Sequence, residues 1–176
     1  MNSGVRSVRQ QAVTSRIMSA VRNRNSVAEL AVRRRLWANG LRFRVRTSLP
    51  GKPDIVFSRQ KQVVFIDGDL WHGNSWRVRG LASFEAQFRS NAEWWVAKIR
   101  RNIARDREVE KLLACEGWTV HRYWESDVLS DPNQVARQVA KLVRGTELNF
   151  RDVPVTRLER KRAASVKLKL KASGDS

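Results

Sequence analysis

The chain has 176 residues, with 35 Lys and Arg against 17 Asp and Glu and a formal net charge of +18. That length allows one domain with a real core and some tail, and no run approaches the ~20 apolar residues of a membrane span. The single cysteine, Cys115, excludes an intrachain disulfide and leaves no Cys cluster for a structural zinc. No apolar leader lies in residues 1–24, so a cytoplasmic setting is expected. The charge is uneven: residues 1–50 carry eleven arginines and one acid, Glu29. Arginine forks suit phosphate, so the expected partner is DNA or RNA. No long basic amphipathic helix without a core pattern supports a membrane surface instead.

Residues 1–24 are polar and Arg-rich, either a basic arm that orders on DNA or a disordered leader. Ser26-Val27-Ala28-Glu29 opens a predicted helix that runs to about Ala38, with Val27, Leu30, Ala31 and Trp37 on its apolar side. Ser26 and Glu29 also make a capping box, which gives Glu29 a structural role beside any catalytic one. Residues 41–46 alternate apolar and Arg and read as a strand. After the turn at residues 49–52, Asp54 precedes the apolar run Ile55-Val56-Phe57. A second run, Val63-Val64-Phe65-Ile66, ends on Asp67, and residues 58–62 suit a hairpin turn. Two adjacent strands would bring Asp54 and the Ile66-Asp67 end together. Paired carboxylates there would hold Mg²⁺, which takes oxygen ligands, and His72, five residues on, is a natural general base.

Residues 68–91 have no clean period and read as a long loop, with Trp71, Trp76, Phe84 and Phe88 arguing against disorder. A long helix is predicted over residues 93–116, its apolar stripe made of Val96, Ile99, Ile103, Leu112 and Leu113. Lys98, Arg101, Asn102 and Arg105 share one face, which either follows a phosphate backbone or is simply solvated. Residues 118–124 read as a fourth strand, and a last helix starts at Ser130-Asp131-Pro132 and runs to Arg144. Trp37, Trp118 and Trp124 are expected in the core, and His121 is read as structural. The expected division is a basic arm (1–13), one domain (14–145) and a flexible basic tail (146–176). The domain is α/β, a mixed sheet of about four strands flanked by helices.

Several of these residues together resemble a known family. Leu49-Pro50-Gly51-Lys52-Pro53-Asp54 comes first, then Val64-Phe65-Ile66-Asp67-Gly68-Asp69-Leu70-Trp71-His72. Next are Trp94-Trp95-Val96-Ala97-Lys98-Ile99 with Asn102 and Arg105-Asp106, then Gly117-Trp118 and Tyr123-Trp124-Glu125. Over residues 14–144 this order is similar to the very short patch repair endonucleases of the PD-(D/E)XK nuclease superfamily. The resemblance implies a monomeric, nucleoid-associated DNA endonuclease that nicks one strand of double-stranded DNA at a T:G mismatch. It leaves room for a cytosine methyltransferase or mismatch-repair protein as partner. It assigns catalysis to His72, Asp54 and Glu29 and Mg²⁺ to Asp54; Asp67, where the family differs, adds a carboxylate to the catalytic and Mg²⁺ set, and Ile66 can offer its backbone carbonyl as a ligand. It assigns DNA contact to Leu70, Trp71 and Trp95, with the Lys98, Arg101, Asn102 and Arg105 face beside them. Well-known members have His where this chain has Asp67 and Thr where it has Ile66. They also bind a structural zinc at positions that match Asp69, Asn74, Trp76 and Ser126. None of these four is a good zinc ligand, so no structural zinc is expected, and Trp76 is expected to fill its place by apolar packing. A restriction-like nuclease of other specificity and a DNA-binding module without cleavage are the alternatives.

Overall fold

The computed structural model of the protein describes residues 25–145 and 149–171, with side chains to residue 166. The arm expected at 1–13 lies outside the described residues. The first helix, α1 (Val27–Ala38), starts as the capping box predicts: the Ser26 hydroxyl accepts from Glu29 N–H, and Glu29 accepts from Ser26 N–H. Its buried side is only partly the expected one: Val27 and Ala31 do pack toward the core. Ala28, Ala31, Val32 and Leu36 face the core, while Leu30 and Trp37 are half exposed. Trp37 therefore leaves the expected core set; it meets the edge of Phe43 and lies under the Arg42 guanidinium, 3.9 Å away. The small side chains at 28 and 31 let neighbouring helices approach closely, which a tryptophan stripe would prevent.

Three strands form the sheet: β1 (Ile55–Phe57), β2 (Gln62–Asp67) and β3 (Thr119–Trp124), in that spatial order. The first pair is antiparallel and closed by the expected hairpin, and the second pair is parallel. The strand expected over residues 41–46 is reduced to one bridge, in which Arg44 and Val56 exchange N–H···O bonds of 2.9 Å. With β1 only three residues long and the arginines at 42, 44 and 46 exposed, the edge offers no longer pairing. Period-two alternation sorts the side chains onto two faces. Ile55, Phe57 and Val64 join α1 and the C-terminal helices in the larger core cluster. Val56, Val63 and Phe65 pack with Leu113 in the smaller one.

A parallel neighbour requires a crossover, supplied here by α3 (Ala92–Cys115). Of its expected stripe, Ile99 and Leu113 are buried and Leu112 is exposed. Gly51 lies against this helix with φ +70°, and a Cβ there would stand 2.5 Å from Val109 Cγ1, so only glycine fits the turn without a shift. The long loop before α3 carries a short helix, α2 (Ser75–Val78), and a 3-10 turn, Glu85–Gln87.

After β3 come α4 (Glu125–Ser130) and α5 (Pro132–Arg144); the latter is capped by Asp131 with proline in its first turn. The expected flexible tail is corrected by α6 (Arg157–Lys171), which packs against α1 and α4. A second capping box starts it: Thr156 Oγ1 accepts from Glu159 N–H, and Glu159 accepts from Thr156 N–H. Glu159 is then buried between Arg34 and Arg35. The core side of α6 is Glu159 with Ala163 and Val166, one acid and two small apolar residues, too thin a stripe for hydrophobic periodicity to reveal this helix. Among the described residues no helix is long and apolar enough to cross a membrane.

Candidate active site

Asp54 stands immediately before β1, and the hairpin brings it to Ile66 as expected. Its backbone N–H donates to Val64 O at 2.9 Å, and its Oδ2 accepts from Ile66 N–H at 2.7 Å. Burial first, then the charge of Glu29, pushes the Asp54 carboxyl from 3.8 up to about 7, against the Ile66 hydrogen bond and Arg33. Arg33 links the two acids: Nη2 donates to Glu29 Oε2 and to the Asp54 carbonyl, both at 2.8 Å. Glu29 also accepts from Asn25 N–H and Ser26 N–H. Its oxygens are therefore engaged in capping α1, and it acts on Asp54 through its charge. A buried carboxyl whose ionisation is opposed in this way marks a site short of positive charge. Among the described residues, no group of three or more His, Cys, Asp or Glu side chains is gathered closely enough to hold a metal ion.

His72 follows a tight turn in which Trp71 N–H and His72 N–H both donate to Gly68 O. Its Nδ1 lies 2.6 Å from Asp106 Oδ2 on α3 and 3.7 Å from Asp67 Oδ1. Burial alone would raise the Asp106 carboxyl, but the His72 hydrogen bond and charge, with Arg122 and Arg105, hold it below its ordinary value. An ionised carboxylate only accepts hydrogen bonds. Nδ1 therefore carries a proton, and in the neutral imidazole Nε2 is the acceptor.

Asp67, expected among the metal ligands, is paired with an arginine in this structure. Both of its oxygens accept from Arg122 on β3, Oδ2 from Nε at 2.6 Å and Oδ1 from Nη2 at 2.7 Å. The reason is register. Phe65 pairs with Arg122 across the parallel strands, and Asp67, two residues on, shares that face. The same guanidinium reaches Glu110 Oε1 at 3.2 Å and Asp106 Oδ1 at 3.4 Å, and lies 4.9 Å from the Phe65 ring. Sequence reasoning gave neither Asp106 nor Arg122 a role. Asp106 had a signal: it lies one helical turn beyond Asn102, on the face already singled out. Arg122 had none, because its pairing depends on strand register.

Asn102 Nδ2 donates to Trp71 O at 3.0 Å, so successive turns of α3 hold successive loop residues, Trp71 and His72. The Trp71 ring lies 5.9 Å from Trp95, which stacks on Phe88 at 5.9 Å and meets Trp94 edge-on at 4.9 Å. Lys98 Nζ is 5.3, 4.7 and 5.6 Å from the rings of Trp71, Trp94 and Trp95, within cation–π range. Leu70 and Trp94 are exposed, Trp71 and Trp95 half-buried, and Arg101 and Arg105 face outward along the same helix. Trp118, Trp124 and His121 are half-buried, and His121 Nε2 lies 3.2 Å from Gln62 Oε1.

The loop after Asp67 is tied by hydrogen bonds, not by Trp76 as expected. Asp69 Oδ1 accepts from Asn74 Nδ2 and from the Ser126 hydroxyl, both at 2.7 Å, and Oδ2 accepts from Ser126 N–H at 3.0 Å. The Trp76 ring lies instead beside Phe84 and Ile103, with the Arg77 guanidinium 5.2 Å from it.

Comparison with known proteins places the sequence in a family. A family model described as DNA mismatch endonuclease Vsr matches residues 7–78. The Type II nicking enzyme V.NmeDIP of Neisseria meningitidis serogroup C is 41% identical over 128 residues, covering 72% of this chain and 83% of that one. V.HpaIIP of Haemophilus parainfluenzae, also a Type II nicking enzyme, is 37% identical, covering 69% of this chain and 84% of its own. The DNA mismatch endonuclease Vsr of Escherichia coli (strain K12) is 33% identical, covering 67% and 72%. The chain belongs to the Vsr endonuclease family and is a DNA endonuclease.

Proposed function

We propose that this endonuclease nicks one strand of double-stranded DNA at a T:G mismatch, with Mg²⁺, in very short patch repair. The observation that carries the reading is the adjacency of wedge and base. Trp71 in the aromatic cluster and His72 on Asp106 are neighbours in sequence, and α3 holds both. Leu70, Trp71 and Trp95 open the mismatched step, which costs less to unstack than a matched one. Lys98, Arg101, Asn102 and Arg105 follow the adjoining backbone.

His72 Nε2, left as the acceptor, takes the proton of the attacking water. The water oxygen bonds to phosphorus, the strand's P–O bond breaks, and solvent protonates the leaving oxygen. Asp106 stabilises the imidazolium that forms. The donor set suits Mg²⁺, because both candidate ligands, Asp54 and the Ile66 carbonyl, are oxygens and the site is short of positive charge. A strand residue's N–H and C=O leave on the same side, so the Ile66 carbonyl shares the edge where its N–H meets Asp54. When bound, such a cation neutralises charge on the reacting phosphate.

The test is a nicking assay on T:G, matched and cytosine-methylated duplexes, each with Mg²⁺ and with EDTA. The expected result is one cut strand, on the T:G duplex alone, in Mg²⁺. Equal cutting of the matched duplex would make this a restriction-like nuclease of the same fold, and cutting in EDTA would remove the cation from the reaction. Cutting of T:G duplexes would also place a cytosine methyltransferase upstream, since deamination of its product creates that mismatch.

A further inference from the structure

We propose that Arg122 is a positioning residue of the active site, whose guanidinium takes both oxygens of Asp67 and braces Asp106, so that Asp67 serves this clamp and the cation is held without it. The proposal rests on reading His72 as the base and Asp54 as the cation's carboxylate. Three observations carry it. The fork is bidentate and short, 2.6 and 2.7 Å, the geometry in which arginine holds a carboxylate most specifically. The same guanidinium approaches Asp106, whose other oxygen holds His72 Nδ1 at 2.6 Å. Lastly, Asp67 and Arg122 stand on adjacent parallel strands, so the sheet itself sets their spacing.

The consequence is a chain of orientation running from the sheet to the base. Arg122 fixes Asp67 and steadies Asp106, and Asp106 fixes the tautomer and direction of His72. Glu110 takes the remaining arm of the guanidinium at 3.2 Å, and the Phe65 ring supports its face. A guanidinium engaged by three carboxylates and backed by a ring is committed to them rather than to a phosphate. An Asp67 carboxylate with both oxygens in the fork would have to break it to coordinate a cation.

Full-length Arg122→Met keeps chain length and the contact with Phe65 but has no fork, and Arg122→Lys keeps the charge without the bidentate geometry. On a T:G duplex with Mg²⁺, Arg122→Met is expected to lower kcat by ~10²-fold, the scale of a small misplacement of catalytic groups. KM for DNA should stay near the wild-type value, and Arg122→Lys should recover part of the rate. Asp67→Asn, which can still accept from Arg122, should bind Mg²⁺ in titration calorimetry as wild type does, while Asp54→Asn loses binding. Wild-type kcat in Arg122→Met overturns the clamp. Loss of Mg²⁺ binding in Asp67→Asn as complete as in Asp54→Asn overturns it too. If Arg122→Met does not fold, the two calorimetric titrations decide alone. His72→Ala separates the layers: wild-type nicking by that variant would sink the base reading, whereas an inactive His72→Ala with a normal Arg122→Met sinks only the clamp.

Discussion

Two of the arginine–carboxylate clamps in this molecule, Arg35 with Glu159 and Arg122 with Asp67, differ in what surrounds them. Arg35 on α1 is fully buried and donates to Ala31 O, Val153 O, Asn133 Oδ1 and Glu159. Glu159 in turn is held below its ordinary carboxylate range; burial would raise it, but Arg35, the Thr156 N–H and Arg34 prevail. Arg35 is satisfied there on all its nitrogens, and among the described residues the Arg34 Nε is the one buried donor of the joint without a partner. Arg122 on β3 is partly exposed and faces three carboxylates, Asp67, Asp106 and Glu110, with the strained Asp54 carboxyl near Asp67. Arg33 and Arg105 add positive charge nearby, yet the Asp54 carboxyl is still pushed up to about 7 by burial and the charge of Glu29. The same pairing chemistry therefore gives a closed joint in one region and an open, negatively biased site in the other. What distinguishes structure from function is the surplus, not the bond.

The contrast can be broken most forcefully at the base. His72→Ala should lower nicking by about 10²–10⁴-fold, the usual worth of a positioned general base, with an unchanged melting temperature. A fall in melting with normal nicking per folded molecule would make His72 a joint like Arg35. The closed joint should behave oppositely. Glu159→Ala leaves a buried guanidinium unpaired and should cost about 3–5 kcal/mol of stability, read by denaturant unfolding, while the folded fraction nicks at the wild-type rate. Reduced nicking by that folded fraction would connect the two clamps.

A smaller effect separates the tryptophans. Trp71→Ala should weaken cleavage of a T:G duplex by roughly thirtyfold, about 2 kcal/mol of lost wedging, with little change in general DNA binding. Trp37→Ala, at an exposed position, should leave cleavage alone. If Trp71 were instead a packing residue, its variant would lose about 3–5 kcal/mol of stability, and a melting curve would reveal it.

The most gradual effect is the pH slope of the metal-free protein. The Asp54 carboxyl titrates at about 7 when folded against 3.8 for an unperturbed aspartate. Between those values the unfolded chain gives up a proton that the folded one keeps, so this group's contribution to stability falls as pH rises, by at most about 1.4 kcal/mol per unit. Glu159 works the other way. Its folded pKa lies below 4.5, so its contribution is complete above that value and is lost as pH falls through the folded pKa. Asp54→Asn should flatten the first slope and leave the acid-side loss intact. An unchanged slope in urea titrations at several pH values would remove Asp54 as its source.

What the sequence by itself determined is what depends on near neighbours. The Ser26–Glu29 capping box, the Asp54–Ile66 contact across one hairpin and the extent of α3 follow from residues a few positions apart, whose geometry backbone sterics and turn chemistry set. The Lys98–Arg105 face was legible for the same reason. A second capping box, Thr156 with Glu159, is equally local, but the helix behind it carries only Ala163 and Val166 on its core side, a faint signal among its lysines and arginines. Only the tertiary structure decided that Trp37 is exposed, that Asp67 belongs to Arg122, and that Glu159 is buried beside Arg35. The Asp67 and Glu159 partners lie 55 and 124 residues away. No periodicity records which carboxylate a distant guanidinium will meet, because strand register and helix packing set that distance, and those emerge only when the whole core closes.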